Sequence, residues 1–285
     1  MNAKEYASCN DVQKQHVLNL IDEFEEDIAQ MSGKCMDIGC GPGDITKNIL
    51  LPALNSNAVI IGTDISENMI KFAKKTYSNE KQLKFEVLDI QTKNLPEKYI
   101  SEFDHIFSFH TLHWCYDIRQ AFENIFQMIR PGGNILMLIV ASHDAYEIMK
   151  FLAQDIRFAP YIQDVKNYVP PFNDLITPHK KLRKLLKSIG FDVCHCSLRE
   201  VTYSSQNMQN FLYSILAIYP FLDKLPHDQK EEFRNEFTRE FMKRKLTCKT
   251  IENNLDQTNF IDLYKILIVY AQKVKINSMY LVVYK

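Results

Sequence analysis

The sequence predicts an α/β fold: one parallel, doubly wound sheet with helices on both faces and a helical cap. Three observations predict it. Short apolar runs alternate with helical periods between residues 34 and 140. The run CMDIGCGPGD at 35–44 packs three glycines behind the first of those runs, in a chain with only 8 glycines. A length of 285 residues with 46% hydrophobic content suffices for one large core.

Each element follows in turn. From Val12 to Ile28 the apolar residues Val17, Leu20, Ile21, Phe24 and Ile28 recur at helical spacing, predicting an amphipathic first helix. The period then changes. The runs KCMDIG, AVIIGTDI, LKFEVLDI, FDHIFSFH and NILMLIVA read as strands, with helices at 43–54, 66–77 and 117–130 between them. Ser66 and Asp117 stand where a short oxygen side chain accepts from a helix's first free amides, and Pro131-Gly132-Gly133 ends the last of these helices. After Val140 the pattern is helical and aromatic over 144–168. KKLRKLLKSIG is a helix leading into the strand FDVCHCSLREVTY, and a mostly helical block at 206–245 precedes the strand LYKILIVYAQK. With no repeat and no Ser/Gly linker, 1–273 reads as one domain. Its blocks at about 142–178 and 206–258 are cap insertions walling a pocket, and 274–285 is a tail of unassigned role.

A formal charge of -1 supplies no global field for a polyanion, which argues against nucleic acid as a partner. The basic stretches KKLRKLLK and FMKRKL read as solvated helix faces. The apolar run ILMLIVA is too short to span a bilayer, so stable membrane insertion is not expected. Seven scattered cysteines read as reduced thiols in a cytoplasmic protein. Cys194-His195-Cys196 alternates across a strand and is no metal site, so no metal is expected.

Asp37, Gly39, Gly41 and Gly43 mark a tight turn at the end of the first strand, where backbone amides approach a ligand. Asp64 ends the second strand 21 residues past Gly43, the place of an acid that accepts from two ribose hydroxyls. Asp89 closes the third strand, either at an adenine amine or on a solvated loop. A nicotinamide dehydrogenase and a methyltransferase using S-adenosylmethionine compete for these residues. Asp37 and Asp44 flank the turn with negative charge, which disfavours a pyrophosphate and favours a cationic ligand.

In MDIGCGPG, GTDIS and VLDI the chain resembles the class I S-adenosylmethionine-dependent methyltransferases over about 34–140. The resemblance implies a Rossmann-like, seven-stranded sheet whose last strand is antiparallel, the late runs at 191–203 and 262–273 completing it. It implies that Gly39 and Gly41 lie against the methionine part of the cofactor, that Asp37 and Gly43 also belong to the cofactor site, and that Asp64 holds the ribose. It places Asp89 with Ile90 at the adenine, and adds Ile65, Met69 and Ser108 to the cofactor contacts. Pro170-Pro171-Phe172 is similar to part of the base-stacking motif of adenine methyltransferases, but Val169 stands where that motif needs a polar residue.

Methyl transfer needs a positioned, desolvated nucleophile. His113 and Trp114 follow the fourth strand. Trp114, the only tryptophan, is a packing residue or a ligand contact through its indole N–H. Gln13 shares the apolar stripe of the first helix, either meeting water at the helix start or facing the protein. Together Gln13 and Trp114 offer two uncharged donors for the oxygens of a carboxylate. An aliphatic acid, with a pKa of roughly 4 to 5, is already ionised and needs no general base.

Tyr6 and Gln13 in EYASCNDVQKQ, the GTDISENMIKFAKK block, FEVLDI, FDHIFSFHTLHW, KNYVPPF and LYKILIVYAQK resemble the juvenile hormone acid methyltransferases of insects over about 1–273. That resemblance implies a small apolar carboxylic acid as partner, farnesoic acid or juvenile hormone acid, with Gln13 and Trp114 on its carboxylate and His113 nearby. His110 stands where that family commonly has tyrosine. Phe151, Ile156, Phe158, Tyr161, Tyr168, Phe172, Phe211, Ile215 and Phe221 are the expected aromatic and apolar lining of the cap. A different small carboxylic acid, or a cofactor-binding module without catalysis, are the alternatives.

Overall fold

The computed structural model describes residues 3–162, 164–205, 208–216, 219–252 and 255–275. The N-terminal segment forms three helices, α1 (Ala3–Cys9), α2 (Asp11–Glu23) and α3 (Glu25–Ile28). The single helix expected over Val12–Ile28 therefore breaks at Phe24. Between α1 and α2, Asn10 leaves helical geometry and turns its amide onto Asp44.

β1 (Lys34–Ile38) feeds the glycine turn and a π-helical turn (Thr46–Leu50) that runs into α4 (Leu51–Ala53). Then come β2 (Val59–Asp64), α5 (Glu67–Thr76), β3 (Leu83–Val87), β4 (Phe103–Phe109), α6 (Ile118–Met128) and β5 (Ile129–Ser142). Ser66 accepts from Met69 N at 3.4 Å and Asp117 from Gln120 N at 3.0 Å, as the cap positions require. Helix α6 stops at Met128, and Pro131-Gly132-Gly133 lies inside β5 instead of forming a separate turn. The β4–β5 register shifts there, between Phe103 and His105.

α7 (Asp144–Leu152) and α8 (Pro178–Ile189) lead to β6 (Phe191–Ser205), with Gly190 in the left-handed conformation ending α8. α9 (Met208–Leu216) and α10 (His227–Met242) follow, then β7 (Leu246–Glu252) and β8 (Leu255–Lys273). Strand β7 was not expected from the sequence. It pairs with the first half of β8, which starts well before LYKILIVYAQK.

The sheet order is β3-β2-β1-β4-β5-β8-β6, parallel through β5, with β8 antiparallel to both β5 and β6. The expected seven-strand layout with a late antiparallel strand is present, and β7 is added on β8 beyond the end of β5. The stretches 135–141 of β5 and 266–271 of β8 read as unbroken apolar runs because both faces are covered there. Leu136, Leu138 and Val140 pack toward the side of α2 and the cap, whereas Ile135, Met137 and Ile139 pack toward α6 and α8. Within the tail, Val274 and Lys275 are described and 276–285 lie outside the described residues.

The cap is tied to the sheet by a buried charge cluster. Lys245 follows α10, has a side chain only 1% exposed, and contacts Asp262 of β8 and, at 2.5 Å, Asp144 of α7. His143 closes the cluster on Asp262 at 2.8 Å. Burial opposes ionisation of Asp262, but the hydrogen bond from His143 and the charge of Lys245 hold its carboxyl below the usual range. Removing the cation leaves the fully buried Asp262 with His143 alone, and loss of one partner from a buried ion pair costs about 3–5 kcal/mol. Lys245→Met is therefore expected to lower unfolding free energy by about 3 kcal/mol in denaturant titration. An unchanged midpoint would show that the cluster does not anchor the cap.

Candidate functional site

Two adjoining chambers open at the carboxyl ends of β1, β2 and β4, where ligands of such sheets bind. The larger, about 550 Å³, is bounded by the glycine turn, by Asp64 at the end of β2 with Ile65, Ser66 and Met69 beyond it, and by Phe109 at the end of β4 with His110 and Thr111 beyond it. The smaller, about 80 Å³, lies under the cap among Val12, Val140, Tyr146, Phe211, Ile215 and Tyr219. Tyr6, Gln13, His110 and Trp114 line both chambers and form the wall between them.

The turn has its shape for steric reasons. Gly39 at φ +75° presses on Thr111, whose Oγ1 would lie 2.0 Å from an added Cβ. Gly43 at φ +84° sits 2.9 Å, by the same construction, from the ring of Phe85. An L side chain is strained at either position. At Gly41 a Cβ would meet only Tyr6, at 3.8 Å, so this backbone is open to the chamber. Gly41 N donates to Asp64 Oδ2 at 3.0 Å and Ser66 N to Asp64 Oδ1 at 2.8 Å, fixing the carboxylate while its remaining lone pairs face the chamber. Burial raises the Asp64 pKa above the usual carboxylate value, against those two bonds.

Asp37, 2% exposed, accepts from Thr46 Oγ1 at 2.6 Å. Burial pushes its carboxyl up to about 7, aided by the charge of Asp64 and opposed by the Thr46 bond. Asp44, read from sequence as further negative charge at the turn, is instead paired. Asn10 Nδ2 donates to its oxygens at 3.2 and 3.0 Å, and Lys14 Nζ lies 3.2 Å away. The acids turned toward the larger chamber without a cation are thus Asp37 and Asp64. Two unpaired acids, open glycine backbone and no lysine or arginine in the lining match a ligand that is cationic and carries hydroxyls, so the residues present fit S-adenosylmethionine.

The predicted cofactor residues divide. Asp37, Gly39, Gly41, Asp64, Ile65 and Met69 line the larger chamber; Gly43, Asp89, Ile90 and Ser108 do not. Gly43 permits close packing of the turn on Phe85 and Ala73. Ser108 donates to Ile38 O at 3.0 Å, joining β4 to β1. Asp89 accepts from Gln91 N at 2.9 Å, and Ile90 packs in the core beside α6 with its carbonyl bound by Asn124.

On the dividing wall Gln13 Oε1 is buried without a partner among the described residues, and neither Gln13 Nε2 nor Trp114 Nε1 has one there. The Trp114 ring is set by His113 at 4.8 Å and by Tyr146 and Tyr219, both at 5.9 Å between centroids. His113 lines the smaller chamber, and its Nδ1 accepts from Val140 N at 3.4 Å. Burial lowers the His113 pKa to about 3, so it is neutral. Of the expected cap lining, Tyr168 reaches the larger chamber and Phe211 and Ile215 the smaller. Phe151 and Ile156 face solvent, 49% and 89% exposed, because they fall on the outer side of the cap.

Sequence reading missed Asn10, His16, His143, Tyr146, Tyr219 and Tyr264. Their partners lie far along the chain, as with Tyr264 and His16, and no local pattern signals such pairs. Tyr6 and His110 were visible only through family resemblance.

Residues 36–135 match a family model described as a methyltransferase domain. The chain is 31% identical over 282 residues to a Drosophila melanogaster protein named juvenile hormone acid O-methyltransferase, covering 97% of this chain and 94% of that one. It is 27% identical to the protein of the same name from Bombyx mori, covering 98% and 99%. Among solved structures, Haemonchus contortus phosphoethanolamine N-methyltransferase 2, in complex with phosphomonomethylethanolamine and S-adenosylhomocysteine, superposes with a TM-score of 0.52 at 15% identity over 90% of this chain and 53% of that one. Bacillus subtilis YcgJ superposes at 0.53 with 14% identity, covering 92% and 99%. At these identities the structural likeness is one of fold.

Asp37 carries a pH signature. Its folded pKa is raised, so its contribution to stability is fully present below the unfolded value of about 3.9 and is lost as pH rises through about 7. Asp37→Asn should stabilise the ligand-free protein, and by about 2 kcal/mol more at pH 8 than at pH 5, in paired unfolding curves. A gain independent of pH would contradict a buried, proton-holding carboxyl.

Proposed function

Because the chain belongs to the methyltransferase family of the juvenile hormone acid O-methyltransferases, we propose that it esterifies the carboxylate of an apolar acid, farnesoic acid or juvenile hormone acid in the first instance. S-adenosylmethionine is its cofactor, supplying when bound a methyl carbon activated by sulfonium. The observation that carries the proposal is the dividing wall. Gln13 and Trp114 front both chambers with uncharged donors that no described residue engages.

In this reading Gly39 and Gly41 give the cofactor backbone to lie against, Asp64 accepts from its ribose hydroxyls and Asp37 faces its ammonium. Ile65 and Met69 add apolar contact, while Gly43 and Ser108 hold the turn and β4 in place. Asp89 and Ile90 are assigned to the adenine end beyond the chamber. Gln13 Nε2 and Trp114 Nε1 donate to the two oxygens of the acid. Held by neutral donors, the ionised oxygen keeps its nucleophilicity, which a salt bridge would reduce. His113 stays neutral and shapes the wall. No residue has to remove a proton, since the acid arrives ionised.

Apolar walls at Val12, Val140, Ala145 and Ile215 suit a hydrocarbon tail and exclude water. A chamber of about 80 Å³ is small for a sesquiterpenoid, so a long tail requires the cap segment around α9 to move outward. The small volume favours, as the second reading, a shorter carboxylic acid.

A labelled-cofactor assay across terpenoid, fatty and short acids separates the two readings. Ester formation on terpenoid acids is expected, turnover only of short acids selects the second, and cofactor capture without any turnover rejects both. Trp114→Phe keeps an aromatic ring and removes the donor, so kcat/KM should fall roughly 10- to 100-fold, as for a lost hydrogen bond to a charge, with cofactor affinity unchanged. Unchanged turnover would remove Trp114 from the carboxylate. Asp64→Ala should weaken cofactor binding at least tenfold by calorimetry, and an unaltered Kd would remove it from the ribose site.

A further inference from the structure

From Tyr264, which lines the smaller chamber, to His110 on the dividing wall runs a chain of three polar groups that the roles given above leave unused. Tyr264 Oη is 2.8 Å from His16 Nε2, and His16 Nδ1 is 3.1 Å from His110 Nε2. The two imidazoles lie nearly parallel, 5.1 Å between centroids and 12° apart. His16 and Tyr264 are 8% and 5% exposed, while His110 fronts both chambers beside Gln13 and Trp114. His110 holds a left-handed conformation at φ 53°, its amide bonded to Leu138 O, at the end of β4. Strain at a non-glycine residue persists where surrounding structure fixes it, and it is common where a side chain is aimed at a ligand.

A chain of two neutral imidazoles and a phenol can be polarised in only two ways. If Tyr264 donates to His16 Nε2, then His16 Nδ1–H donates to His110 Nε2, and the remaining proton sits on His110 Nδ1. If the chain runs the other way, His110 Nδ1 is a bare acceptor and Tyr264 must dispose of its proton elsewhere. Tyr264 Oη has no second partner among the described residues, so its proton is satisfied within the protein only by donation to His16. Burial holds the Tyr264 phenol protonated and lowers His16 to about 4 and His110 well below the usual value, keeping both rings neutral. His110 Nδ1 has no partner among the described residues.

We infer that His110 Nδ1–H is a third uncharged donor to the acceptor carboxylate, with His16 and Tyr264 as positioning residues that fix its tautomer. The inference rests on the carboxylate reading for its ligand, and on the hydrogen-bond chain alone for its tautomer. A donor at this point favours an ionised acid over an alcohol, whose hydroxyl proton would need an acceptor there. Selectivity for carboxylates would thus be set by the direction of a hydrogen-bond chain, with no cation involved.

Histidine-selective ¹⁵N NMR on the full-length, ligand-free protein tests the tautomer, the His110 signals being assigned by their loss in His110→Gln. A protonated Nδ1 with an unprotonated Nε2 is expected, and the opposite tautomer overturns the inference. His16→Phe keeps a ring in place and removes the donor to His110. It should raise KM for the accepted acid about tenfold, leave kcat and cofactor Kd within about twofold, and mix the His110 tautomers. An unchanged KM, or a parallel loss of cofactor affinity, overturns the positioning role. Failure of every acid in the panel would sink the carboxylate reading, while the NMR result would still decide the polarity of the chain.

Discussion

The site depends on a wall without charge between a chamber of acids and a chamber of mainly aromatic and apolar side chains. Gln13, His110 and Trp114 each bring a polar group to that wall, and none carries a charge at neutral pH. A lysine or arginine there would bind an acid more tightly, but would also hold the attacking oxygen in an ion pair. Neutral donors orient it at lower cost to its reactivity. The flanking acids Asp37 and Asp64 stand on the other side, where a cationic cofactor offsets them.

The wall is assembled from distant parts of the chain. Tyr6 and Gln13 come from the N-terminal helices, which Asn10 and Lys14 fasten to Asp44 at the glycine turn. His110 and Trp114 come from the end of β4, and Tyr146 and Tyr219, which seat the indole, come from the cap. The cap is in turn held to β8 and α7 through Lys245. Placement of the proposed acceptor would therefore depend on contacts well away from it.

Much of the fold was legible because it is written in local periods. The apolar runs marked the strands of the main sheet, and Ser66 and Asp117 marked helix starts by their chemistry. The break between α1 and α2 and the strand β7 were not legible, since one depends on the bond from Asn10 to Asp44 and the other on pairing with β8. At the site the glycine turn and Asp64 were readable from residue type and spacing. Ser108 and Gly43 stand out equally in the sequence, yet they face backbone and ring neighbours and not the chamber. The chain from Tyr264 through His16 to His110 spans 248 residues and exists only after folding.

The claim that an ionised acid is held by neutral groups with no catalytic base is tested most directly by the pH dependence of kcat/KM for the accepted acid, at saturating cofactor. Burial keeps His16 and His113 at about 4 and 3, below the working range. The profile should rise once, with the acid's own pKa of roughly 4 to 5, and stay flat from about pH 6 to 8. A further rise of unit slope between pH 6 and 7.5 would reveal a base that must lose its proton before reaction, and would contradict the account.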